Sequence, residues 1–424
     1  MADFEQYLKP GKRGHLIGAG GVSMAPLAEV LAGMGLVIDG SDMAESEKTR
    51  YLRSLGIDIK IGHSAMNVAP DIQFVVRTAA VHDDNPEIVE ARARGVPIFE
   101  RAQAWGAIMR DYDNALCIAG THGKTTTTSM CTHILMAAER DPTVMIGGTL
   151  PLLHAGHRVG GGDTIILESC EYHDSFLYFR PTIAVILDIE ADHLDYFSGL
   201  EDVKRSFREF ASKVPEHGRI VANIDDRNTM DALAPLGREL FTFGLTEKAD
   251  VYARNIRRVG ANSEFDIYCH GKLFTSVTLH IPGMHNVKNA LAATAACICL
   301  GVRPNAVKYG LAGFNGAGRR FEFKGIYDDY AHHPGELKAL LDAVEPLGYK
   351  RTILVFQPHT YTRTAALFDD FIEQLVRPDV TYLAEIYAAR EHNTLGISSA
   401  DLARQIDGCH FCPKFEQIEA ALRE

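Results

Sequence analysis

The stretch Leu116–Met130, "LCIAGTHGKTTTTSM", decides how the rest of the chain is read. It runs from an apolar strand through two glycines into a helix, with Lys124 and Thr125 where the helix begins. Backbone N–H groups of such a turn face inward, a lysine reaches terminal phosphates, and a threonine at the helix start can ligate Mg²⁺. The standard pattern, G-x-x-x-x-G-K-[ST], also asks for a glycine where Ile118 stands. The stretch is therefore expected to be a tighter phosphate cradle, built from Gly120, Thr121, His122, Gly123, Lys124, Thr125 and Thr126.

Outward from this loop the pattern alternates strand and helix, as a parallel α/β protein requires. Near the start, "GHLIGAGGVSMAPLAEVLAGMGLVIDGSD" reads as strand, glycine turn, helix and second strand. Its turn, Gly18-Ala19-Gly20-Gly21, has Ser23 where a dinucleotide fingerprint would have its third glycine. The runs "IDIKIGH", "FVVRTAAV" and "VPIFERA" read as further strands. After "GAGRRFEFKG" the pattern restarts, with "RTILVFQPHTYTRT" and "VTYLAEIYAAR" each starting as a strand. Three α/β domains are expected, over residues 1–110, 111–318 and 319–424, which suits a chain of 424 residues because single cores stop growing near about 250–300.

Composition narrows the partners. The chain is 46% hydrophobic and 23% charged, with a net charge of −12, which disfavours a general nucleic-acid or membrane-surface binder, since both need a cationic face. "ALAATAACICLGV", from Ala290, is too short for a bilayer span of about 20 residues. The amino terminus has no signal-peptide pattern, so a cytoplasmic protein is expected. The eight cysteines lack a disulfide spacing, and Cys409–Cys412, "CHFC", has no second pair with which to form a zinc site.

Several segments deliver polar residues at strand ends. "TIILESCEYHDSF" ends a β-branched run in Glu168, followed by Glu171. A carboxylate on a strand neighbouring the phosphate loop is where Mg²⁺·ATP needs a ligand. "PTIAVILDIEADHLDYF" then brings Asp188, Glu190, Asp192, His193 and Asp195 into one turn, a density that is costly unless a cation is shared. His193, among acids, is read as a metal ligand. "IPGMHNVKNALAA" offers Asn286 and Asn289 at a helix start, either as caps or for adenine. "GAGRRFEF" supplies Arg319 and Arg320, and "YDDYAHHPGE" supplies Asp328, Asp329, His332 and His333, the paired histidines pointing different ways. "FQPHTYTRT" places His359 and Arg363 where an arginine can hold a carboxylate bidentately.

These segments, in this order, resemble the Mur ligase family: "GAGGVSM" with "GSD", "AGTHGKTTTT", "IEADHLDYF", "PGMHNVKNALAA", "GRRFE", "DDYAHHPGE", "FQPHTYTRT" and "IYAARE". The resemblance implies a Rossmann-like first domain for a UDP-sugar, a central P-loop ATPase domain with a mostly parallel sheet, and a Rossmann-like third domain for an amino acid. It implies a ligase that uses ATP and Mg²⁺ to join L-alanine to UDP-N-acetylmuramate, as a monomer or homodimer. On that basis Gly18, Gly20, Gly21, Ser41 and Asp42 would meet the UDP-sugar, and the loop with Lys124 the ATP phosphates. Thr125, Glu168 and His193 would hold the metal, Asn289 adenine, Asp329 ribose and Arg319 the γ-phosphate. His359 and Arg363 would face substrate in the third domain, and His193 or His332 would accept the amine proton.

Three departures stand out. "ESCEYHD" replaces two of the family's carboxylates with Cys170 and His173, and Asp188 stands where many members have asparagine. The chain also ends at "QIEAALRE", before a further strand and glycine turn usual in the family, so a less stable third domain is expected. The alternatives to a free-amino-acid ligase are a ligase that attaches a peptide, a nicotinamide-dependent dehydrogenase suggested by the first glycine turn, and a non-catalytic UDP-sugar sensor.

Overall fold

The computed structural model describes residues 3–423 except 79, 319, 321, 324, 325 and 390. Its first sheet contains β1 (Arg13–Ile17), β2 (Val37–Asp42), β3 (Asp58–Ile61), β4 (Phe74–Arg77) and β5 (Ile98–Glu100). All pair in parallel, in the order β3-β2-β1-β4-β5. Such an order reverses direction of winding beside β1, and ligands of open α/β sheets bind outside the carboxyl ends of strands at that reversal. The turn Gly18–Gly21 leaves β1 there, beside Ser41 and Asp42 at the end of β2.

A ten-stranded sheet follows, from β6 (Asn114–Ala119), β7 (Thr143–Leu150), β8 (Ala155–Arg158), β9 (Thr164–Glu168), β10 (Ile183–Ile186), β11 (Arg219–Asn223), β12 (Leu240–Gly244), β13 (Val251–Val259), β14 (Asn262–Cys269) and β15 (Lys272–Leu279). The order is β15-β14-β13-β12-β11-β10-β6-β9-β7-β8. From β13 through β7 the pairs are parallel, and antiparallel hairpins finish both edges. Strand β6, which carries the phosphate loop, lies between β10 and β9. Its neighbours therefore end in the Asp188–His193 turn and at Glu168. Its core positions Leu116, Cys117, Ile118 and Ala119 are fully buried, which is why this strand reads as a continuous apolar run.

Beyond a short β16 (Glu322–Phe323) and β17 (Tyr327–Asp328) hairpin, a three-stranded parallel sheet orders β18 (Ile353–Phe356), β19 (Val380–Leu383) and β20 (Cys409–Phe411). Cys409, His410 and Phe411 of the "CHFC" segment form this last strand. The sequence overextends several strands: "VPIFERA" is extended only to Glu100, and Arg101 starts the helix Arg101–Ile108. There Glu100 and Gln103 form a capping box, a local signal that outcompetes the apolar run. The fold is α/β throughout, with parallel sheets covered by helices.

Candidate active site

The phosphate loop leaves β6 at Gly120 and enters the helix Lys124–Ala137 with Gly123 as its N-cap. Gly123 has a φ of +78°, and a Cβ there would stand 2.5 Å from Asn289 Oδ1. Both facts require glycine and bring the start of the helix Met284–Cys299 against the loop. Lys124 Nζ donates to the carbonyls of Gly120 and Thr121, and to Glu171 Oε2 at 3.1 Å. All three ammonium donors are thereby engaged. Burial opposes the lysine's charge, but Glu171, with Glu168 behind it, holds its pKa well above the ordinary range.

Thr125 Oγ1 donates to Glu168 Oε1 at 3.0 Å, and Glu168 Oε2 accepts from the Gly147 amide at 2.6 Å. A hydroxyl and a carboxylate oxygen at that separation suit adjacent positions on Mg²⁺, whose bonds of about 2.0–2.1 Å set neighbouring oxygens about 3 Å apart. His193 is near but turned elsewhere: its Nε2 lies 3.9 Å from Glu171 Oε1 and 3.7 Å from Asp192 Oδ2, and its ring stacks on Tyr172 at 4.4 Å. Among the described residues no hydrogen bond or ion pair joins His193 to Glu168. Thr125 and Glu168 thus form one donor pair, and Glu171 with His193 another.

Asp188 is half-buried and accepts from the His122 amide at 2.7 Å, which closes the loop from its far side. Burial raises its pKa to about 6, despite the opposing pull of His122. The His122 ring stands 3.2 Å from Glu190 and 3.6 Å from Glu336 Oε1, a residue of the third domain. Burial works against its charge, but these two carboxylates hold its pKa well above 6.5. His122, Glu190 and His333 come close enough for each to offer an atom within 4.8 Å of the others.

A cavity of about 360 Å³ opens beneath the loop. Gly123, Thr125, Thr126, Asn289, His285 and Phe314 line one side, and Asp329, Gly335 and Glu336 of the third domain line the other. Asn289 and Asn286 are nearly sealed beneath it. Arg320 also lines it and lies 3.6 Å from Glu336, whereas Arg319 lies outside the described residues. Of the residues expected to meet ATP, His122, Gly123, Thr125, Thr126, Asn289 and Asp329 therefore line one chamber.

The remaining expected residues form two further groups. Arg363 meets Asp192 Oδ1 through Nε and Nη2, each at 2.9 Å, and neighbours His359 Nδ1 at 3.2 Å. His332 lies 5.7 Å from His359, ring to ring, and burial lowers its pKa. In the first domain, Gly18 has a φ of +79° and Gly20 donates to Asp42 Oδ2 at 2.8 Å; Gly21 closes the turn onto the Gly18 carbonyl. The Ser41 hydroxyl is buried and donates to Glu87 at 2.6 Å, so its side chain points into the domain rather than toward the turn.

Glu336 was not legible as a site residue. One of its oxygens caps the helix Pro334–Val344 through the His332 and His333 amides; the other faces His122. Its sequence signal, a glutamate three residues past a cap, predicts only the first role.

A phosphate loop on an inner strand of a parallel sheet, closed over by a third α/β domain, defines a multidomain P-loop nucleotide-binding protein. Residues 13–113 match the catalytic domain of the Mur ligase family, 118–297 the Mur ligase middle domain, and 319–424 the Mur ligase glutamate ligase domain. The chain belongs to the Mur ligase family. It is 45% identical over 421 residues to the UDP-N-acetylmuramate--L-alanine ligase of Agathobacter rectalis, covering 97% of this chain and 92% of the relative. Among solved structures it resembles the UDP-N-acetylmuramate-alanine ligase of Thermotoga maritima, at a TM-score of 0.80 and 30% identity, covering 96% of this chain and 92% of that one. It also resembles the UDP-N-acetylmuramate:L-alanyl-gamma-D-glutamyl-meso-diaminopimelate ligase of Neisseria meningitides, at a TM-score of 0.66 and 27% identity, covering 73% and 100%. No helix among the described residues is long and apolar enough to cross a membrane.

Proposed function

We propose that the protein is an ATP-dependent ligase that joins L-alanine to the lactyl carboxylate of UDP-N-acetylmuramate, an early cytoplasmic step of peptidoglycan synthesis. The observation that carries this reading is the loop Gly120–Lys124 at the mouth of a chamber walled by both the central and the third domain. Its relatives named as alanine ligases supply the substrates.

The lactyl carboxylate attacks the γ-phosphorus of ATP, giving an acyl phosphate and ADP. The alanine amine then attacks the acyl carbon, and the tetrahedral intermediate expels phosphate as the amide forms. Lys124 would exchange its hold on Glu171 and the loop carbonyls for phosphate oxygens, offsetting charge as it develops. Thr125 and Glu168, and beside them His193, would hold Mg²⁺, which when bound neutralises phosphate charge. Asn289 suits the adenine, Asp329 the ribose and Arg319 the γ-phosphate region. Gly18, Gly20, Gly21 and Asp42 suit the UDP moiety, with Ser41 contributing its backbone at the end of β2 because its side chain is turned onto Glu87. Arg363 and His359 suit the substrate side of the third domain. The amine must lose a proton, and His332 is a suitable acceptor because burial keeps its ring neutral at pH 7; His193 is the other. Closure of the third domain over the chamber would keep water from the acyl phosphate.

The test is isotopic. With ¹⁸O in the lactyl carboxylate, one labelled oxygen should leave in the phosphate released; unlabelled phosphate would rule out carboxylate activation.

A further inference from the structure

Arg101 opens the helix that follows β5, and it differs from three other partly buried arginines. Arg77 is paired with Asp83 and Glu100, Arg363 with Asp192, and Arg94 with three backbone carbonyls. Arg101 donates to one group, the Ser23 hydroxyl, and among the described residues it joins no ion pair. A guanidinium has five donors, so most of its capacity is unused. Its unused nitrogens are absent from the sealed, unpartnered atoms of the molecule, so they reach open space. Glu100, the carboxylate beside it in sequence, is committed to Arg77 at 2.8 Å. A guanidinium whose free donors face an opening is placed to take an anion.

Its surroundings say where that anion would lie. Ser23 stands two residues after Gly21 and is the N-cap of the helix Met24–Gly33; its carbonyl also accepts from Trp105 at 3.3 Å. The arginine therefore lies beside the first domain's glycine turn, on a helix that also meets the central domain. It is held rigidly there: a Cβ on Gly106, one turn further along the same helix, would stand 2.0 Å from the Tyr178 carbonyl of the central domain. The two backbones are in direct contact.

We propose that Arg101 binds an anionic oxygen of the UDP-sugar, either of its diphosphate or of its lactyl carboxylate, where the sugar crosses from the first domain to the ATP phosphates. The inference rests on the UDP-sugar reading above and adds a binding residue to it. The fork of an arginine suits both groups, since each offers paired oxygens for two parallel bonds.

The test is calorimetric titration of the full chain with UDP-N-acetylmuramate, UDP-N-acetylglucosamine and ATP, in the wild type, Arg101→Ala and Arg101→Lys. Arg101→Ala should weaken UDP-N-acetylmuramate about 10- to 100-fold, the loss of one charge-assisted contact, and leave ATP within about twofold; Arg101→Lys should recover part of the loss. Equal weakening of UDP-N-acetylglucosamine, which lacks the lactyl group, assigns the contact to the diphosphate, and an effect on the muramyl compound alone assigns it to the carboxylate. Unchanged affinity for both in a folded Arg101→Ala protein overturns the proposal. Should that variant fail to fold, Arg101→Gln, which can keep the Ser23 bond, decides by the same titration. A wild type that binds ATP but neither UDP-sugar overturns the functional reading, and this inference with it.

Discussion

The joint between the first and central domains and the joint between the central and third are built from different forces. Across the first joint runs one apolar core: Phe74, Phe99 and Trp105 belong to the same buried cluster as Phe176, Phe207 and Phe210. The third domain has a small cluster of its own, centred on Phe371, Leu375, Leu383 and Leu402. It meets the central domain through polar contacts, chiefly Arg363 on Asp192 and Glu336 beside His122. Apolar burial is non-directional and indifferent to pH, whereas ion pairs depend on geometry and charge. The first joint is therefore suited to a fixed crevice, and the second to a closure that can open for substrate and product.

Asp192→Ala should break the second joint most severely. It leaves Arg363 enclosed without its partner, which typically costs about 3–5 kcal/mol. Hydrogen exchange should speed up across residues 326–423 and stay unchanged in the first sheet; uniform acceleration would contradict the division. Gly106→Ala should act on the first joint, because its methyl would be driven into the Tyr178 carbonyl. A loss of about 1–3 kcal/mol is expected, spread over both the first and central domains as one lowered melting transition. Separate melting of the first domain would show that the shared core is not cooperative.

The smallest effect is that of pH. His122 has a raised pKa in the folded chain, so its contribution is complete below its ordinary value of 6.5 and is lost as pH climbs through the raised one. Burial opposes the Glu336 charge, but His122 and its other cationic neighbours hold its pKa well below 4.5, so its share is lost only as pH falls below that ordinary value. The second joint should therefore be tightest between these limits. Limited proteolysis should cut between the central and third domains faster at strongly alkaline pH than at about pH 6, and His122→Gln should remove most of that difference.

What the sequence disclosed follows the same division. The loop from Gly120 to Thr125 was legible because strand, glycines and helix are consecutive, and the missing glycine at Ile118 shortens the turn without removing the helix start. The parallel α/β class was legible for the same reason. Strand ends were not: after β5 the capping box of Glu100 and Gln103 starts a helix at Arg101, inside a segment that reads as extended. Glu168 was placed correctly beside the loop strand, yet its bond to Thr125 depends on the register of Ile118 opposite Glu168, and no local pattern fixes that. Glu336, the Glu171 grip on Lys124 and the unpaired Arg101 depend on segments far apart in sequence. Each also has an ordinary local reading, as a cap, a loop acid or a surface arginine.

The most direct test of the central claim is product formation by the full chain with ATP, Mg²⁺ and UDP-N-acetylmuramate, supplied with either L-alanine or the L-alanyl-γ-D-glutamyl-diaminopimelate peptide. The account predicts one UDP-N-acetylmuramoyl-alanine, one ADP and one phosphate per turnover with alanine, no ligation of the peptide, and loss of all three products in Lys124→Ala. Ligation of the peptide in preference to alanine, or ATP consumed with no amide formed, would contradict it.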